Sequence, residues 1–171
     1  MKLTKLMIPV LALAACTDNA SKQESVQIFA AATTAMSTAQ TKAVEQAKGN
    51  QLTDPGAVTL NYSGACTLGG TVVVVGEYAG EGADDRADFD LNTQFNGCQE
   101  AAGTLDGKIH WTSSASSTGF SAAMDGELDW AGNNGSASCD FDLSLAVTQT
   151  SVSYSGHLCG YDVGELQLGS N

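Results

Sequence analysis

Carboxylates are the richest chemical resource in this chain. Glu77, Glu81, Asp84, Asp85, Asp88 and Asp90 fall close together, with Gly80 and Gly82 freeing the backbone between them. Oxygen ligands on a flexible loop suit calcium, which takes about six to eight of them, so Asp84, Asp85, Asp88 and Asp90 are candidate metal ligands. The stretch lacks the EF-hand spacing, however, and an acidic solvated turn also keeps a sheet edge from pairing with other chains. The solvated turn is the preferred reading. No other cofactor is called for.

Nucleophilic chemistry finds less. There is no Gly-x-Ser-x-Gly elbow, and the nearest serine and histidine, in Ser155-Gly156-His157, fall on one expected strand rather than on a strained turn. His110 and His157 are expected as solvated strand residues, and a Ser/His hydrolase is the weakest of the readings. Spacing alone leaves paired acids for glycoside hydrolysis open, but no carbohydrate-stacking aromatic is evident. Phosphate-cradling glycine loops, haem motifs and basic stripes are absent from the sequence. The chain is therefore read as non-catalytic.

The elements that would position these groups begin after a distinctive start. Lys2 and Lys5 precede an apolar run, Leu6 to Ala12, about half the length a helix needs to cross a bilayer. Leu13-Ala14-Ala15-Cys16 closes it, and this tetrapeptide resembles the lipobox of bacterial lipoprotein precursors. The resemblance implies cleavage after Ala15 and lipidation of Cys16, with several acyl chains giving a lasting anchor where one would hold only marginally. It also implies the outer membrane, periplasmic side, since Thr17 stands where an Asp would retain the protein at the inner membrane. Residues 1–15 are then the signal peptide, 16–21 the lipidated cysteine and a short tether, and 22–171 one domain.

The whole sequence carries a net charge of −12, and removal of Lys2 and Lys5 makes it more acidic still. Such a surface repels phosphate backbones, so nucleic acid is excluded as a partner; the membrane is reached through the anchor alone. In an oxidising compartment the even set Cys66, Cys98, Cys139 and Cys159 points to two disulfides. Zinc is the lesser alternative, because no Cys-x-x-Cys pair is present.

Ser21-Lys22-Gln23-Glu24 fits a capping box that starts a helix. Val26, Phe29, Ala32, Met36, Ala39, Ala43 and Ala47 then recur at helical spacing up to Lys48-Gly49, giving an amphipathic helix whose stripe is mostly alanine. After Asp54-Pro55-Gly56, alternating apolar and polar residues with frequent turn signals predict strands near 57–66, 70–79, 87–96, 104–113, 119–130, 137–148, 151–158 and 162–168.

Short connections make these an antiparallel meander. Leu105-Asp106-Gly107-Lys108-Ile109-His110-Trp111 is echoed by Met124-Asp125-Gly126-Glu127-Leu128-Asp129-Trp130. A hairpin turning near Ser117 and Thr118 sets Lys108 against Glu127 and His110 against Asp125 on the wet face. Inside, it sets Gly107 against Leu128 and Ile109 against Gly126. Trp111 and Trp130 fall in phase with the core positions. Gly64, Gly107, Gly126, Gly156 and Gly164 are placed inward, as a sheet curled round a helix requires.

All four domain cysteines fall at one end of such a meander, which favours Cys66–Cys98 and Cys139–Cys159 among the three possible pairings. The fold expected is α+β, an N-terminal amphipathic helix packed on a curved antiparallel meander of about eight strands. Lipobox, helix and glycine-rich meander together resemble small bacterial lipoproteins, a likeness that carries no activity with it. The function expected is a monomeric, non-catalytic envelope module, structural or binding. An apolar or lipid ligand in the sheet concavity, a weak calcium site and an envelope protein partner are the ligand readings.

Overall fold

The computed structural model describes residues 18–50, 57–79, 86–133 and 135–166. The lipobox with Cys16, the Asp54-Pro55-Gly56 turn, and Asp84 and Asp85 lie outside the described residues. The element order is β1 (Asp18–Asn19), α1 (Lys22–Asn50), β2 (Ala57–Ala65), β3 (Gly69–Ala79), β4 (Ala87–Glu100), β5 (Gly103–Ser116), β6 (Gly119–Gly132), β7 (Gly135–Thr148), β8 (Val152–Leu158) and β9 (Tyr161–Asp162). A 3-10 turn, Val163–Glu165, follows.

The capping box forms as its spacing requires. The Ser21 amide donates to Glu24 Oε2 at 3.0 Å and the Glu24 amide donates to Ser21 Oγ at 3.3 Å, so two amides that no helical carbonyl can reach are satisfied. The Ser21 hydroxyl, which donates to Glu24 Oε2 at 2.6 Å, and then the Ser21 amide hold the Glu24 carboxyl below its ordinary range. From β2 to β9 each strand pairs antiparallel with the next, in the order β2-β3-β4-β5-β6-β7-β8-β9.

The register between β5 and β6 follows the sequence echo: Gly107 faces Leu128, Lys108 faces Glu127, Ile109 faces Gly126 and His110 faces Asp125. Alternation then puts Leu60, Val72, Val74, Leu91, Phe95, Leu105, Ile109, Leu128 and Trp130 on one buried face with α1 against it. Both cysteine pairs are joined, Cys66 to Cys98 and Cys139 to Cys159, with Cα separations of 5.4 and 4.1 Å.

Four details depart from the sequence reading. Of the segment expected as a tether, Asp18–Asn19 form a parallel strand on Ala137 and Ser138 of β7, and Ala20 is buried. β8 pairs with β7 only as far as Phe141, so this stretch of the β7 edge is open to β1.

The eighth strand is also shorter than expected. Among the described residues of that stretch only Tyr161–Asp162 pair, because the Asp162 carboxylate accepts the Gly164 amide at 2.8 Å and turns the chain into the 3-10 segment. Gly164 is therefore in that turn and not on a strand.

The buried helix stripe is Ile28, Ala31, Ala32, Ala35, Met36, Ala39 and Ala43, with Val26 and Phe29 half-buried at its margin. The helix thus sits rotated toward Ile28 relative to the expected line. Finally, β4 runs on to Glu100. A bulge at Asn96–Gly97, with Gly97 at φ +55°, carries the strand past its expected end.

Candidate functional site

The wet face carries the titratable groups. His110 lies between two aspartates from neighbouring strands, its Nδ1 3.0 Å from Asp125 Oδ1 and its Nε2 2.9 Å from Asp90 Oδ1. Strand register produces this directly, since Asp125 is opposite His110 on β6 and Asp90 lies one diagonal step away on β4. Hydrogen bonding to Asp90, and then to Asp125, raises the His110 pKa above its ordinary 6.5. Both ring nitrogens are thus occupied by carboxylates.

The raised value has a pH signature. A histidine whose folded pKa exceeds its unfolded one stabilises the fold fully below about 6.5 and loses that contribution as pH rises through the folded value. The ring is 36% exposed, so the contribution is discounted to a few tenths of a kcal/mol. An NMR titration of the His110 ring is expected to give a midpoint above 6.5. Asp90→Asn should lower that midpoint; an unchanged one would mean that Asp90 does not hold the ring.

The other sequence candidates are brought together only in part. Asp88 is 2.9 Å from Arg86 Nε, and hydrogen bonds to Ser114 and then Arg86 hold its carboxyl below the ordinary range. Asp88 and Asp90 are thus already engaged by different partners. His157 is exposed on β8 opposite Asp142, and Ser155 lies two residues along, opposite Ser144. No hydrogen bond joins Ser155 to His157 among the described residues. Glu127 accepts the Ser138 hydroxyl at 2.8 Å, although Lys108 is its strand partner.

Three hollows among the described residues bear on this framework. One, ≈ 530 Å³, is an open trough where Thr112, Ser114, Ser121, Ser144, Ser153 and Ser155 contribute hydroxyls beside Asp88 and Asp90. A second, ≈ 190 Å³, lies on the helix side of the sheet, lined by Phe29, Thr33, Trp111, Met124, Leu143, Leu145 and Tyr154. Trp130, by contrast, is 2% exposed core. A third, ≈ 230 Å³, lies between the second half of α1 and β2–β3, with Glu100 and Lys42 in its walls.

Comparison with protein families, with curated proteins and with solved structures gives no match to this chain. The site therefore rests on its own chemistry. Among the described residues, the one group of three possible metal ligands gathered within 4.8 Å is Cys66, Cys98 and Glu100. Its two sulfurs are bonded to each other, which removes them as thiolate ligands.

The aromatic hollow and the Glu100 cleft are what sequence reasoning missed. Trp111 and Tyr154 come from strands far apart in the chain, and alternation assigned Trp111 only to the inside. No sequence signal marks the hollow; the exposure of β8 in the structure does. Val152 and Tyr154 face the helix side yet remain 60% and 46% exposed, because α1 does not extend over that corner.

Proposed function

We propose that this chain is a non-catalytic lipoprotein of the cell envelope, anchored in the outer membrane by lipid on Cys16 and facing the periplasm. Its domain binds an apolar ligand, an acyl chain or a comparable apolar segment, in the hollow beside α1. The observation that carries this reading is the incomplete cover on the curved sheet. α1 packs its alanines, Ile28 and Met36 chiefly against the β2–β3 side of the sheet, while Phe29, Trp111, Met124, Leu143, Leu145 and Tyr154 leave an apolar recess open at its margin. Such a recess, mostly apolar with a tyrosine hydroxyl and a threonine at its edge, suits a hydrocarbon chain. No helix among the described residues is long and apolar enough to cross a membrane.

Native mass spectrometry of the domain from Thr17 onward, purified from periplasm, tests the reading. A retained mass matching a fatty acid or phospholipid is expected, and Leu145→Asp should abolish it while the chain stays folded. A bare chain in the wild type would remove the apolar-ligand function and leave a structural role. In the precursor, Cys16→Ser is expected to move the protein from the membrane to the soluble fraction; continued membrane association would refute the anchor.

A further inference from the structure

The cleft between α1 and β2–β3 has a different chemistry from the apolar recess. The bulge at Asn96–Gly97 turns the end of β4 so that Cys98 and Glu100 both face the helix side. Glu100 is 8% exposed, and its one hydrogen bond among the described residues comes from the Thr67 amide to Oε1, at 3.2 Å. Its other oxygen accepts no hydrogen bond from the described residues and is not sealed from solvent as Thr93 Oγ1 is, so a cation entering the cleft reaches it.

Space for such a group exists beside it. Ala35 and Ala39 hold α1 close without filling the gap. Tyr62 lies folded along its own strand over Gly64, where a Cβ would sit 2.0 Å from the tyrosine hydroxyl oxygen. Any side chain at position 64 would push the Tyr62 ring out of that place. The ring stands in the wall of a ≈ 230 Å³ cleft whose floor is an anion, and aromatic faces attract cations. The strongly acidic chain also draws cations toward it from solution. No ion pair joins Lys42, which lines the cleft from the helix, to Glu100.

The geometry points to a second binding site: the cleft takes a small organic ammonium ion, with Glu100 as its counter-ion and Tyr62 as its wall. The ammonium group donates to Oε2, which takes no donor from the described residues, and its carbon chain lies on Ala35 and Ala39. This site is independent of the apolar recess, and its failure would leave the acyl-chain reading untouched.

The test is a titration of the isotope-labelled chain from Thr17, which carries every described element, with n-butylammonium chloride at physiological ionic strength. Saturable shifts are expected at the amides of Cys66, Thr67 and Glu100, with none from n-butanol or sodium butyrate. Glu100→Gln keeps an acceptor for the Thr67 amide and should weaken binding about tenfold or more, the loss of one charge-assisted hydrogen bond. Thr38→Phe, at an exposed position on the rim, should block the cleft without disturbing the core. Absence of saturable shifts in the wild type overturns the site. So do shifts that persist unchanged in both variants or spread over the acidic outer face. Shifts seen only in Lys42→Gln would also overturn it, since Lys42 would then be the counter-ion itself.

Discussion

Gly126→Ala is expected to destabilise the domain by about 4 kcal/mol, a large share of the roughly 5–15 kcal/mol that holds such a fold. Gly126 adopts φ +146°, and a Cβ there would sit 2.2 Å from the Lys108 carbonyl oxygen and 3.0 Å from Ile109 Cα. Those are backbone atoms of the paired strand β5, which cannot retreat without breaking the ladder. Backbone strain of about 1–3 kcal/mol adds to an overpacking penalty of similar size.

The same close approach to a paired strand's backbone oxygen recurs around the sheet. Gly107 would meet the Glu127 oxygen at 2.4 Å, Gly156 the Asp142 oxygen at 2.0 Å and Gly76 the Asp90 oxygen at 2.0 Å. These glycines let the sheet fold closely enough to curl round α1. Gly97→Asn supplies the contrast, because φ +55° is a conformation asparagine accepts and nothing lies within 4 Å of its Cβ position. Urea denaturation should show a loss of under about 1 kcal/mol there. Equal losses at the two positions would mean that the inward glycines do not set the curvature.

This distribution explains what the sequence disclosed. The β5–β6 register was legible because period-two alternation and the repeated Asp-Gly motif fix which residues share a face, and a slip by one residue would drive Ile109 and Leu128 into water. The capping box was legible because its partners lie three residues apart. β1 was not, since two residues paired in parallel have no periodicity to read. β4 continued past its expected end through the Gly97 bulge, which reads as a strand stop when only local turn signals are available.

The sites were harder for the same reason. His110 and Asp125 could be paired from the echo, but Asp90 joins them by a diagonal from the other neighbouring strand. Lys42 and Glu100 share a cleft only after the helix has crossed the sheet and the bulge has turned Glu100 inward. Alternation names the face a residue occupies, whereas the limits of α1 decide whether that face is packed or left open. Phe29 and Trp111 show the difference, both at the margin of the helix and both lining a recess instead of closing it.

Removing the Cys139–Cys159 bond in a Cys139→Ala/Cys159→Ala variant is expected to cost about 3 kcal/mol, with Cys66→Ala/Cys98→Ala slightly more costly on loop length alone. The bridged cysteines are 20 and 32 residues apart, and in the chain-entropy model closing such loops contributes about 3–4 kcal/mol each. Position separates the two further. Cys139 follows the two β7 residues that hold β1, and the Cys159 amide donates to the Asp140 carbonyl at 2.8 Å. That bond therefore clamps the point where β7 exchanges β8 for β1, and where Lys22 pairs with Glu165 to tie the helix start to the end of the described chain.

Cys66 and Cys98 instead pin the β2–β3 turn over the end of β4, assisted by the Leu68 amide on the Gln99 carbonyl at 3.0 Å. Hydrogen exchange should separate the effects. The first variant is expected to lose protection at Asn19, Ser138 and Leu158 before the rest of the sheet, and the second at Leu68 and Glu100. If both variants lost protection uniformly, the disulfides would act on the unfolded chain alone and hold no local structure in place.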